Sequence, residues 1–168
     1  MKTLLRIGTG FLVGAALVAA PARGCAQDGG IDVGAHAPSR SLNTAEGKPF
    51  NLADVIGKRP VLLEFWATWC ENCRALEPHL LDMQRKYAAQ MAFVGIAVPI
   101  NQTLERVQRY VQAKKYPFPM LWDKDGALAA DYDVPATSFV VIIDRSGKVV
   151  YTGAGGNQKL ESAIKKAL

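Results

Sequence analysis

Histidine and cysteine are scarce in this 168-residue chain: His36 and His79 are the only histidines, and Cys25, Cys70 and Cys73 the only cysteines. A closed zinc site takes four ligands, so a metal reading would have to combine most of that supply. His79 stands six residues past Cys73 in what reads as one helix, and so points away from a site built at the helix start. Haem attachment needs a histidine directly after a Cys-x-x-Cys pair, and Arg74 occupies that place. The apolar run from Ile7 to Ala20 has 14 residues, short of the roughly 20 that a membrane-spanning helix needs. Internal repeats and low-complexity tracts are missing, and so is any block of like charge. Lys plus Arg number 20 against 15 Asp plus Glu, but Lys2, Arg6 and Arg23 precede Ala26, where no acid occurs. The remainder carries 17 positives against 15 negatives, net +2, with the signs interspersed. That excludes the footprint of a nucleic-acid binder.

What is present begins with a leader. "MKTLLR" is basic, "IGTGFLVGAALVAA" is apolar, and "APARGCAQ" is rich in small residues, which is the layout of a secretory signal peptide. Residues 1–26 are therefore expected to be a signal peptide or a lipoprotein leader, with Cys25 the residue a lipid would modify. Either way the domain is expected to be exported, in a compartment where disulfides persist. Residues 27–37, rich in Gly and Ala and without periodicity, read as a flexible lead-in.

Residues 38–168 read as one domain. The stretch up to Pro60 predicts an added strand or hairpin, with a short helical turn at 52–56. "VLLEFW" (61–66) is an apolar run broken only by Glu64, as in a buried central strand. From Cys70 to about Ala89, Leu76, Leu80, Met83 and Tyr87 form one helical stripe. "MAFVGIAV" predicts a second strand. "NQTLERVQRYVQAKK" predicts a helix capped by Asn101 or Thr103, with Leu104, Val107 and Val111 inward. "FPMLWD" predicts a short strand, "GALAADY" a short helix, and "SFVVIID" with "KVVYTG" a hairpin across "RSG". A helix with Leu160, Ile164 and Leu168 inward closes the chain. Strand, helix, strand, then hairpin and helix imply an α/β fold with a mixed central sheet flanked by helices.

The chemistry sits in "EFWATWCENCRALEP" (64–78). A purely structural disulfide across so small a loop would remove little chain entropy. A Cys-x-x-Cys pair placed after a buried strand and at a helix start has another use. The first sulfur lies beside unpaired backbone N–H groups, at the helix end whose dipole favours thiolate. Cys70 is then the exposed nucleophile and Cys73 the resolving thiol. Glu64, alone among apolar neighbours, should be desolvated and its pKa raised towards neutrality.

These residues resemble the active-site segment of the thioredoxin superfamily, and most closely its secreted TlpA/ResA-type thiol–disulfide oxidoreductases of the redoxin branch. The likeness runs from about Val33 to Leu168. It rests on the Cys-x-x-Cys after Phe-Trp-Ala-x-Trp, on Pro78 five residues past Cys73, and on "YPFPMLWDKDG" and "VVIIDRSGKVV" further on. The resemblance implies a thioredoxin-like fold with an N-terminal strand or hairpin extension. It implies that Pro78 kinks the active-site helix, that Trp69 shields the nucleophile, and that Glu64 accepts the proton of Cys73. Pro135 takes the place of the family's cis-proline opposite the cysteines, because no other proline precedes that strand and cis bonds are essentially confined to X–Pro. An ungapped count would put Ser138 there instead.

The expected function is reduction of disulfides in exported client proteins, with no cofactor beyond the Cys70–Cys73 disulfide. A membrane electron donor is the expected second partner. The competing readings are a zinc- or copper-binding thiol lipoprotein and a peroxiredoxin-like peroxide reductase.

Overall fold

The computed structural model describes residues 29–168, so the leader and Cys25 lie outside the described residues. Seven strands and four helices follow one another as β1 (Ser41–Thr44), β2 (Pro49–Asn51), β3 (Val61–Trp66), α1 (Glu71–Tyr87), β4 (Ala92–Ala97), α2 (Leu104–Lys114), β5 (Met120–Trp122), α3 (Ala127–Asp131), β6 (Phe139–Ile143), β7 (Val149–Ala154) and α4 (Leu160–Ala167). A 3-10 turn at Leu52–Asp54, capped by the Asn51 side chain, fills the short helical stretch expected there.

The sheet order is β2-β1-β5-β4-β3-β6-β7. Strands β3, β4 and β5 run parallel to one another, and β6, β7, β1 and β2 are added antiparallel. β3 is central, hydrogen-bonded on both sides and buried at all six residues, as its unbroken apolar text requires. The crossovers β3–α1–β4 and β4–α2–β5 step in the same direction across the sheet. Right-handed connections therefore put α1 and α2 on one face. Alternation turns Leu62, Glu64 and Trp66 towards that face. Leu62 packs there with Leu76 and Leu80 of α1 and with Leu160 and Ile164 of α4, while the Trp66 ring meets Tyr110 of α2. On the other face Phe65 packs against Tyr132, just past α3, and against Phe139 of β6.

Of the two candidate caps, Thr103 is the one that caps α2 through its side chain. Several element details depart from expectation. Leu104 is half-buried and Leu168 is exposed, so each of those apolar stripes loses a terminal member. The larger departure concerns the lead-in. The backbone of Ile31 bonds to Tyr132, Gly34 and Ala35 to Val149, and Ala37 to Gly147. Residues 31–37 are thus tied to the domain along the start of β7. Their hold comes from main-chain bonds and from close packing that only glycine permits: a Cβ on Gly30 would stand 2.3 Å from Phe139 Cζ. Neither leaves a mark in side-chain periodicity.

Candidate active site

Cys70 ends the loop after β3 in an extended conformation and is the N-cap of α1. Its Sγ accepts the Cys73 backbone N–H at 3.0 Å, taking the role an oxygen usually plays at a cap. Cys73 follows one turn inside the helix, and the two sulfurs are joined as a disulfide. Cys70 is only 4% exposed and Cys73 7%. Both sulfurs are therefore covered in the disulfide form, and Cys70 lacks the open exposure its helix-end position suggested. The loop after β7 rests on the first turns of α1 beside them: a Cβ on Gly156 would stand 2.7 Å from the Ala75 Cβ and 3.2 Å from the Asn72 carbonyl.

Trp69, beside Cys70, is exposed, and its indole N–H donates to the Ile100 carbonyl at 2.8 Å. Gln102 ties the same two loops together, accepting the Thr68 N–H at 2.9 Å and donating to the Val98 carbonyl. The loop bearing the cysteines is thereby fixed to the loop that leads into α2. Pro78 stands inside α1, where it withholds the N–H that the Arg74 carbonyl would otherwise receive.

Pro135 is not where the resemblance put it. Among the described residues there is no cis peptide bond, and Pro135 is exposed, with Gly29 against its ring. Asp133 and Ser138 both adopt positive φ, 47° and 61°, so the chain turns twice between α3 and β6 and carries Pro135 to the outside. The residue that enters β6 is Ser138. It is fully buried, and its hydroxyl and carbonyl bond to Gly155, next to the glycine that rests on α1. The ungapped count points to this same residue. Preference for the nearest proline misleads the assignment, because an L-residue at positive φ makes the turn instead.

Behind Cys73 lies Glu64, on β3 opposite Gly95 of β4. It is one of four buried polar or charged residues among those described. Burial, reinforced by the negative charge of Glu77, pushes its pKa up to about 8. A small cavity of about 10 Å³ is lined by Glu64, Trp66, Cys73, Glu77, Tyr110 and Tyr116. That is the room of a single water. Glu64 and Cys73 thus line one small space, where a buried carboxylate can take the thiol proton. Among the described residues, no group of three or more His, Cys, Asp or Glu side chains is gathered as a metal would need.

Comparison with known proteins fits this arrangement. The model of the AhpC/TSA family matches residues 33–152. The chain belongs to the AhpC/TSA family. The chain is 34% identical over 138 residues to the thioredoxin-like protein YneN of Bacillus subtilis, covering 80% of each chain. It is 31% identical to the thiol–disulfide oxidoreductase ResA of Bacillus thuringiensis, covering 81% of this chain and 79% of that one. Among solved structures, a secreted Mycobacterium tuberculosis disulfide oxidoreductase homologous to Escherichia coli DsbE superimposes with a TM-score of 0.66 at 30% identity, covering 77% of this chain and 96% of the other. The fold of this AhpC/TSA-family chain is thioredoxin-like.

The structure thus brings Cys70, Cys73, Glu64 and Trp69 to one end of the sheet and leaves Pro135 outside. It adds residues that the sequence alone does not single out. Glu77 is four residues past Cys73 on α1, a spacing that places both on one side of the helix, so a signal for it exists. Lys114, Tyr116 and Gln102 reach the site only through the packing of α2 and its flanking loops, and nothing local marks them.

Proposed function

We propose that the chain is a thiol–disulfide oxidoreductase that reduces disulfides of exported client proteins. The observation that carries this reading is the Cys70–Cys73 disulfide at the start of α1, with the buried Glu64 lining the same small cavity as Cys73. In the reduced protein, Cys70 thiolate attacks one sulfur of a client disulfide. The client's other sulfur leaves as thiolate and takes a proton from solvent. Cys73 passes its proton to Glu64, and the resulting thiolate attacks Cys70 Sγ in the mixed disulfide. The second client sulfur departs and the Cys70–Cys73 bond forms. Two electrons have moved from protein to client. A carboxyl with a pKa of about 8 is close to the roughly 8.5 of an ordinary thiol, so the transfer from Cys73 is nearly balanced in free energy.

No cofactor is needed beyond the disulfide itself. Regeneration takes two electrons from a separate dithiol donor, which for an exported protein is membrane-bound. The names of the relatives and the basic-apolar leader support placement outside the cytoplasm, with Cys25 available as a lipid anchor. Within that setting the clients belong to cytochrome c maturation or to general thiol repair. Trapping tests the reading: Cys73→Ser should hold client proteins on Cys70 through a mixed disulfide that reductant releases. A variant that traps no protein from its own compartment, while Cys70 remains alkylatable, would overturn it.

A further inference from the structure

The proposed mechanism leaves one proton unaccounted for. Glu64 takes it from Cys73, yet Glu64 is only 5% exposed and must return the proton before the next cycle. The cavity it shares with Cys73 has walls of Trp66, Tyr110 and Tyr116, and one further carboxylate, Glu77. The Glu77 side chain is 16% exposed, and Lys114, which holds it, is 42% exposed. Lys114 Nζ donates to both Glu77 carboxylate oxygens, at 2.8 and 3.0 Å, and the Tyr116 hydroxyl donates to Oε2 at 3.2 Å. Of the two carboxylates on the cavity, Glu77 is the one that continues to the surface. A second observation lies at the same wall: Trp66 also lines this space, and its buried Nε1 has no hydrogen-bond partner among the described residues, the kind of donor that an enclosed water satisfies.

We propose that Glu77, held by Lys114 and Tyr116, is the group through which the proton on Glu64 exchanges with solvent, and that the Glu77–Lys114 pair sets how readily Glu64 releases it. Glu77 acts through Glu64 and so is a positioning residue for the proton. The groups facing it are Glu64 from β3, Lys114 and Tyr110 from α2, and Tyr116 from the segment beyond α2. Arg74, one turn earlier on α1, adds positive potential at Lys114. Burial raises the Tyr116 phenol far above neutrality, so it stays a donor throughout the working range. The pair therefore works by opposition: the Glu77 charge strengthens the hold of Glu64 on its proton, and Lys114 offsets that charge.

The inference rests on Glu64 being the base of the proposed reaction, and the test separates the two. The Glu64 carboxyl is titrated in the oxidised full chain by carbon-detected NMR, which needs no client. Glu77→Gln should lower its midpoint, and Lys114→Met should raise it, each by about half a pH unit or more, as the sign of the lost charge dictates. A purely structural ion pair would move stability in both variants and leave the midpoint unchanged. Reduced protein is then mixed with dithiobis-nitrobenzoate below pH 8, and release of the second thiolate reports attack by Cys73 in a single turnover, for which the Glu64 carboxyl must first give up its proton. Glu77→Gln should slow it about fivefold or more in dilute buffer, within the range of acid–base effects, with recovery on adding imidazole as a mobile proton carrier. If Glu64→Leu slows that release and neither Glu77→Gln nor Lys114→Met moves the Glu64 midpoint, the relay is wrong and the mechanism stands. If Glu64→Leu leaves release unchanged, the base assignment fails and the relay fails with it.

Discussion

At the scale of single residues, the two cysteines differ less in burial than in surroundings. Both are covered as the disulfide, but Cys70 caps the helix and accepts a backbone N–H, whereas Cys73 lines the small cavity beside Glu64. After reduction, the helix end should stabilise thiolate on Cys70. Iodoacetamide below pH 8 should therefore label Cys70 first, and mass mapping that finds Cys73 labelled ahead of it would reverse the assigned roles. Glu64 carries a stability signature as well. Its folded-state pKa of about 8 lies above the 4.5 of an unperturbed glutamate. The folded state thus binds this proton more tightly than the unfolded state, and the contribution is fully present below pH 4.5. It is lost as pH rises through the window between those values, at a slope of up to about 1.4 kcal/mol per pH. Glu64→Leu should abolish that decline and gain stability at alkaline pH relative to wild type, measured by urea unfolding at about one pH below and one above that window's two ends. The same variant should slow resolution by Cys73 by ~10²-fold or more.

At the scale of elements, the strands and helices are legible where burial writes a period into the text. β3, β4 and β6 announce themselves as apolar runs, and α1, α2 and α4 as stripes, because each buries a side-chain pattern against the sheet. Cys70, Cys73 and Glu64 are legible for the same reason: a motif placed between a buried strand and a helix start leaves few alternatives. Backbone devices are not legible. The turn that enters β6 uses positive φ at Ser138, and the lead-in is held by main-chain bonds, so the text alone misplaces Pro135 and makes residues 31–37 look flexible. A pair of glycine substitutions tests the lead-in. Gly30→Ala meets both a φ of 95° and the Phe139 ring, whereas Gly34→Ala meets a φ of 97° with nothing within 4 Å. The first should therefore cost about 2–3 kcal/mol and the second about 1. Hydrogen exchange at the Ile31 amide should rise in the first variant and stay protected in the second. Equal effects in both would mean that contact with Phe139 does not hold the segment.

At the scale of the whole molecule, the question is which way electrons flow, and the surroundings of Cys70 argue for a reductant. A strongly oxidising Cys-x-x-Cys protein owes its potential to a very stable thiolate on the nucleophile, which favours its reduced form. The helix end contributes to that in every protein of this fold and does not discriminate. The dipeptide between the cysteines, Glu71 and Asn72, brings no cation. Glu71 is exposed and paired with Arg74 at 3.7 Å, and Arg74 also reaches the Thr68 carbonyl, so the nearest ion pair is close to neutral as seen from the sulfur. On the far side, Glu64 stays protonated up to about pH 8 and Glu77 is paired with Lys114, so neither brings net positive potential. A thiolate in such a field is only moderately stabilised, and its potential should lie nearer the roughly −270 mV of thioredoxin than the roughly −120 mV of a strong oxidant. Equilibration against glutathione buffers, with the two redox forms separated after acid quench, measures it. A value above about −160 mV would mean that the protein makes disulfides in its clients. In that case Arg74→Ala should lower the potential, because only the guanidinium could then be supplying the missing positive charge; a reductase should respond weakly, since the same substitution also unpairs Glu71.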